Sequence, residues 1–288
     1  MADATSMQVG VGLPAAVPGA RPDQVVEWAR RAESAGFSSL AALDRVVYDN
    51  YDPLIILAAA ASVTERIGLC TSVLLAPARG SATILAKQAA TIDRLSGGRL
   101  TLGLGVGARE DDYAATGADF TDRGRRLDVM LAELVGTWAA ASGPAGIGPA
   151  SPRGRPGVVL GGRSPQALDR AARFGDGWVA GSAGFYATGA AVVREGWRRH
   201  GRDGSPRTQA VAYVALGADG PARAERYLPE YYAFLGDAAT GLGSTALTSA
   251  AAVREVVARL AGEGCDELLL FPCSSDPDQV DLIADALA

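Results

Sequence analysis

The apolar positions of this chain follow two spacings in turn. Short apolar runs at 8–13, 39–43, 67–75, 100–106, 158–160, 177–180, 210–216 and 267–271 have the length and character of buried strands. Between them, apolar residues recur every three or four positions. Val25, Val26, Ala29 and Ala32 share one face of a helix over 22–35 that stops at Gly36, and Leu127, Met130, Leu131, Leu134 and Val135 form the stripe of a long helix over 122–140. Further helices are expected over 53–64, 82–95, 164–174, 186–199, 222–235, 250–262 and 276–286. Parallel strands need crossovers of this kind, so eight strands alternating with helices predict an α/β fold, a (β/α)8 TIM barrel, with a doubly wound sheet as the alternative. The Gly- and Pro-rich stretch 142–157 interrupts the rhythm, which resumes directly behind it. A surface loop within one domain spanning 1–288 fits this better than a linker.

Composition narrows the function classes. Hydrophobic residues make up 48% and charged residues 20%, enough for a core and unlike a disordered chain. The formal charge is −5 and the basic residues are scattered, so nucleic acid is not an expected partner. Cys70, Cys265 and Cys273 suit neither a disulfide framework nor a metal-ligand spacing, which indicates a reducing cytoplasm. The first seven residues contain no signal core, and no apolar run reaches the ~18 residues of a membrane span; neither export nor membrane association is expected. His200 is the only histidine. That excludes multi-histidine metal sites, and within Arg198-Arg199-His200-Gly201 it reads as positive charge at a helix C-terminus.

In a barrel, chemistry gathers at the C-terminal strand ends. Those ends carry Pro14, Asp44-Arg45, Thr71-Ser72-Val73, Gly105 to Glu110, Gly161 to Ser164, Gly181-Ser182, Gly217 and Pro272-Cys273. The glycines from Gly103 to Gly107 lack the helix start that a dinucleotide fingerprint requires, so they are read as admitting a flat ligand or a neighbouring strand. Val159 to Pro165 passes from strand to turn with Ser164 at the N-cap. Its free N–H groups and Arg163 make either a phosphate cradle or an ordinary cap. Asp44 would orient a ligand or exchange protons, or else form a structural pair with Arg45. Glu110, Asp111 and Asp112 read in isolation as a solvated acidic loop. Arg45, Tyr48, Tyr51, Trp178 and Phe271 are candidates for the wall of a substrate pocket, the aromatics being equally suited to core or rim.

Taken in order, several segments resemble the luciferase-like monooxygenase superfamily, which includes bacterial luciferase, alkanesulfonate monooxygenase and oxidoreductases using the deazaflavin coenzyme F420. They are 32–40, 66–73, 89–104 with Leu95-Ser96-Gly97-Gly98-Arg99-Leu100 at its centre, Arg125-Arg126-Leu127, Gly161-Gly162, Gly175-Asp176-Gly177-Trp178 and Gly264 to Leu268. The resemblance implies the barrel, a flavin or deazaflavin ring across its C-terminal mouth, and a non-prolyl cis peptide at Ser72-Val73 beneath that ring. It further implies that Asp44, Ser72, Val73, Gly107 and Ala108 meet the ring, while Gly161, Gly162, Arg163 and Ser164 meet the phosphate. A homodimer packed through helices near the second and third strands is implied as well. The chain is short for the superfamily and its loops at 142–157 and 236–248 are compressed, so bulky insertions covering the substrate are not expected.

One departure bears on chemistry. Family dehydrogenases that abstract an alcohol proton frequently have histidine after Asp44, where this chain has Arg45, which cannot act as a base near neutral pH. The leading expectation is therefore an F420-dependent oxidoreductase that moves hydride to a small organic substrate, reducing an activated C=C or C=N bond, with protons from Asp44, Glu110, a mouth tyrosine or water. The 71–74 bulge resembles that of F420 users, and Lys87, the only lysine against many arginines, suits a high-GC genome in which this cofactor is common. The alternatives are an FMN-dependent two-component monooxygenase served by a separate reductase, and a non-catalytic flavin-binding barrel.

Overall fold

Nine parallel strand segments form one closed sheet in the computed structural model, which describes residues 7–140 and 146–288. They are β1 (Gln8–Gly12), β2 (Ser39–Ala42), β3 (Gly68–Thr71), β4 (Leu74–Leu75), β5 (Leu100–Gly105), β6 (Gly157–Gly161), β7 (Gly177–Ala180), β8 (Arg207–Val214) and β9 (Glu267–Pro272). The order β3-β2-β1-β9-β8-β7-β6-β5-β4 closes because β5 pairs with both β3 and β4. Those two segments are arms of one stave broken at Ser72-Val73, so the barrel has the eight staves that the sequence predicts.

Among the described residues, ten α-helices lie between them: α1 (Pro22–Ser34), α2 (Pro53–Ser62), α3 (Ala82–Leu95), α4 (Glu110–Thr116), α5 (Arg123–Ala139), α6 (Pro165–Phe174), α7 (Tyr186–Arg199), α8 (Gly220–Tyr231), α9 (Ala250–Gly262) and α10 (Asp278–Leu287). Start signals are local. Asp52, Ser81, Ser164 and Ser249 each cap the helix that follows by accepting first-turn N–H groups. His200 ends α7, with Nε2 2.9 Å from Asp169, consistent with its reading as terminal charge.

Alternation along the strands separates two apolar layers. Leu40, Leu69, Leu102, Leu160, Trp178 and Leu268 face the helices, whereas Ala41, Cys70, Val159, Val179, Val211 and Leu269 fill the barrel. At the N-terminal floor, the buried Glu267 carboxylate accepts from Ser38 and Ser39 hydroxyls, Gln209 Nε2 and Arg207 Nη2 at 2.6–2.9 Å. These donors offset burial and hold its pKa below the ordinary carboxylate value.

The 142–157 loop lies partly outside the described residues. Its described part is tied to the barrel by Ser151 Oγ on Asp93 and by Lys87 Nζ on the Gly148 carbonyl. Two sequence expectations need correction. The acidic run Glu110 to Asp112 is the first turn of a helix, α4, where negative charge suits the helix dipole and Gly117 supplies the left-handed stop. The helix expected over 222–235 is no outer barrel helix. As α8 it ends at Tyr231, followed by a 3-10 segment, Ala233–Ala239, and α9 takes the outer position beside α10.

Candidate active site at the C-terminal mouth

Asp44 follows β2, and its side chain is wholly buried. Oδ1 accepts from Arg79 Nη2 at 2.5 Å and Oδ2 from the Leu75 N–H at 2.8 Å. The same guanidinium reaches Asp52, so Asp44 is paired with Arg79 across the β3/β4 break and not with Arg45 as considered above. Burial, assisted by Asp52, pushes the Asp44 carboxyl upward against the opposing pull of Arg79 and the Leu75 N–H. Both oxygens thus accept hydrogen bonds from the segment that follows the break in the stave.

That stave is bent at the site that the resemblance singles out. The Ser72-Val73 peptide is cis, and the Ser72 N–H returns to the Ala42 carbonyl at 2.8 Å. Ser72 Oγ is buried without a partner. Neighbouring strands come close only because they carry glycine: a Cβ on Gly105 would lie 2.6 Å from Val73 Cγ2, and one on Gly161 2.8 Å from Val73 Cγ1. The reading of these glycines as points of close approach therefore holds for the strand contact.

Arg45 turns the other way. Its Nε faces Asp112 Oδ2 at 3.2 Å and its Nη2 faces Asp111 at 3.1 Å. Asp112 also accepts the Val46 and Val47 N–H groups at 2.9 and 2.8 Å, so α4 anchors the loop after β2. Two members of the acidic run are thus structural ligands of Arg45. Glu110, in the same turn, is exposed. Spacing alone could not pair residues 67 positions apart, which is why the sequence reading missed this.

At the end of β6 the expected turn is present. Ser164 Oγ accepts from Ala167 N at 3.2 Å and Ser164 O from Leu168 N at 3.0 Å; Pro165 has no N–H, which leaves the Gln166 N–H in the first turn of α6 without a partner among the described residues. Gly162 has φ +134°, and a Cβ there would stand 2.5 Å from Ala167 Cβ. Arg163 is exposed, its guanidinium 5.1 Å from the Phe185 ring centre. Trp178 sits behind this turn. It is fully buried in the helix-facing layer and donates to the Gly162 carbonyl at 2.9 Å, which removes it from the pocket wall and makes it a support of the cradle.

The mouth itself is covered, contrary to the expectation from compressed loops. Ala224, Tyr227, Leu228 and Tyr231 of α8 pack with the barrel-filling residues, not with the outer layer. Tyr48 meets Tyr231 edge to face at 5.2 Å, and its hydroxyl is buried without a partner. Burial raises the Tyr48 phenol to about 12. Arg109 fastens this cover, donating to the Tyr231 carbonyl at 3.1 Å with its guanidinium 4.7 and 4.4 Å from the Tyr231 and Phe234 rings. Tyr51 instead ties two loops together, its hydroxyl donating to Ala20 O at 2.7 Å, while Phe271 lies inside the barrel against Gly12. Arg109 falls within the strand-end span Gly105 to Glu110 marked in the sequence, without a role; the α8 tyrosines fall outside every such span, the tyrosine-rich run 227–232 being their sequence signal.

A flat ring with a phosphate-bearing tail fits these residues. The partnerless Ser72 hydroxyl offers it a hydrogen bond, and the Gly161–Ser164 turn offers open N–H groups, a left-handed glycine and a cation. Among the described residues there is no cluster of metal-ligating side chains, and no helix is long and apolar enough to cross a membrane. Among solved structures, a monooxygenase from Streptomyces bottropensis superposes with a TM-score of 0.79 at 21% identity, covering 98% of both chains. An F420-dependent secondary alcohol dehydrogenase in complex with an F420-acetone adduct also gives 0.79, at 17% identity and the same coverage. In sequence, the F420-dependent glucose-6-phosphate dehydrogenase of Kribbella flavida is 29% identical over 61% of this chain and 58% of its own length. An uncharacterised protein of Mycobacterium tuberculosis is 31% identical over 53% of this chain and 63% of its own. The chain thus spans about three fifths of the length of the curated relatives it matches. With a match to the luciferase-like monooxygenase model over residues 5–287, the chain belongs to that family.

Proposed function

We propose that this protein is an F420-dependent oxidoreductase that reduces an activated C=C or C=N bond of a small organic substrate. The observation that carries the choice of reduction is the pairing of Arg45 with Asp112 and Asp111. Where an alcohol-oxidising relative would need a base, this chain holds a permanent cation fixed by two carboxylates. The relative from Kribbella flavida, named for its use of F420, supports the cofactor.

When bound, the deazaflavin supplies a hydride, because carbon replaces the flavin N5. The chain's own residues do the rest. Gly161, Gly162, Arg163 and Ser164 hold the phosphate; Ser72, Val73, Gly107 and Ala108 support the ring; Asp44 steadies the bulge through Arg79 and Leu75 N–H. The cover formed by α8 excludes water from the mouth. Protonation of the reduced product falls to Tyr48, whose buried phenol remains neutral up to about 12, or to Glu110 at the exposed edge. Cytoplasmic location and a homodimer complete this reading.

Deuteride transfer from labelled reduced F420 into product tests it. Incorporation of oxygen from labelled O₂, with turnover supported only by reduced FMN, establishes the monooxygenase reading instead, which the Streptomyces bottropensis neighbour supports at the level of fold. Tight cofactor binding without turnover on a broad substrate panel favours a non-catalytic barrel.

A further inference from the structure

A cavity of about 320 Å³ opens at the N-terminal end of the barrel, opposite the mouth. It is lined by Gly98, Arg99, Leu100, Thr101, Arg153 and Arg155, with Pro156, Gly157 and Asp176 completing it. These residues belong to the N-terminal ends of β5 and β6, roughly 16 Å along the strands from the Gly161–Ser164 turn. Three arginines therefore line one cavity whose only carboxylate among the described residues is Asp176.

The donors divide into committed and available ones. Arg99 spends its guanidinium on Ser96, Thr64, Ile67 and Ala61 oxygens, so it contributes fixed positive charge and no free N–H. Arg155 places Nη1 and Nη2 on the two Asp176 oxygens at 2.7 and 2.6 Å, and Nη1 also on Pro156 O, which leaves its Nε and one Nη2 proton open. Among the described residues, the one hydrogen bond that Arg153 donates comes from its backbone, to Ser151 Oγ. Its side chain lies 3.3 Å from where a Cβ on Gly98 would stand, so glycine at 98 lets the arginine sit against the cavity wall. Thr101 lines the same cavity, and its hydroxyl lies 3.4 Å from where a Cβ on Gly157, also in the lining, would stand.

Asp176 cannot neutralise this cluster. It is already shared between Arg155 and the Val158 N–H, and Arg202 lies close enough to feel both Asp176 and Arg155. Burial lowers the pKa of Arg99 and of Arg202, whereas the hydrogen bond and charge of Asp176 raise that of Arg155, so the carboxylate is committed to Arg155.

We propose that this cavity is a binding site for a tetrahedral oxyanion, either inorganic phosphate or the phosphate group of a small metabolite, gripped by Arg153, Arg155 Nε and the Thr101 hydroxyl. The site is separate from the cofactor cradle and does not depend on which cofactor the mouth binds. Because it clamps β5 and β6 at their starts, the anion raises the stability of the two strands that end at Gly105 and Gly161.

Thermal unfolding of the whole protein, with phosphate titrated against chloride at constant ionic strength, tests the proposal. A saturable rise in Tm with phosphate but not chloride is expected, persisting in Arg163→Glu, which disables the cradle. The apparent phosphate affinity should fall at least tenfold in Arg153→Ala and measurably in Thr101→Val, both conservative for folding. Glycerol phosphate in place of inorganic phosphate separates the two sources: tighter binding of the ester assigns the site to a phosphorylated metabolite, and tighter binding of the free ion assigns it to phosphate. No saturable rise, or one abolished by Arg163→Glu and retained in Arg153→Ala, overturns it.

Discussion

Arg45 and Asp112 form a buried ion pair, Nε to Oδ2 at 3.2 Å, with side chains 7% and 1% exposed. It joins the loop after β2 to α4, and two backbone N–H groups complete the Asp112 shell. Removing one partner of such a pair strands the other charge away from water, which is more costly than the pair is stabilising. Arg45→Ala should therefore lower stability by about 3 kcal/mol in urea unfolding. Asp112→Ala added to it should restore part of that loss. A single-variant loss within the few tenths typical of surface changes would show that the pair contributes nothing.

Asp44→Asn keeps an acceptor for Leu75 N–H and deletes the charge facing Arg79. The expected result is a stability loss of roughly 1–3 kcal/mol with little change in turnover of the folded fraction. Unchanged stability with turnover abolished would return Asp44 to the chemistry.

Gly162→Val places a branched side chain at φ +134° and against Ala167. Affinity for the cofactor should fall at least tenfold, about 1.4 kcal/mol, in protein that remains folded by circular dichroism. Unchanged affinity removes this turn from the cofactor site.

Glu267 predicts a pH dependence. Its folded pKa lies below the ordinary 4.5, so the unfolded chain binds the proton more readily. The stabilisation it gives is complete above pH ~4.5 and is lost as pH falls through the depressed folded value. In Glu267→Gln the acid-side slope of Tm should flatten while stability near neutral pH drops; an unchanged slope contradicts the role of this floor network.

How far the sequence carried the reading depended on distance along the chain. The strand at 177–180 and the helices at 82–95, 186–199 and 250–262 have the boundaries read from periodicity, because caps and apolar spacing are local. The Ser164 cap was legible for the same reason. Arg45 with Asp112, Asp44 with Arg79 and Trp178 with Gly162 were not, since each joins separate loops or strands through tertiary packing. The tyrosines of α8 show a helical period that suits a barrel-packing helix as well as a cover over the mouth. Only the placement of α8 on the barrel-filling cluster decides between them.

The cofactor is the central claim, and equilibrium binding to the purified protein tests it most directly. Titration with F420 and, separately, with FMN, followed by protein fluorescence, should give saturable binding of F420 at least tenfold tighter than FMN, lost in Gly162→Val. Tighter binding of FMN, or equal weak binding of both, contradicts the account.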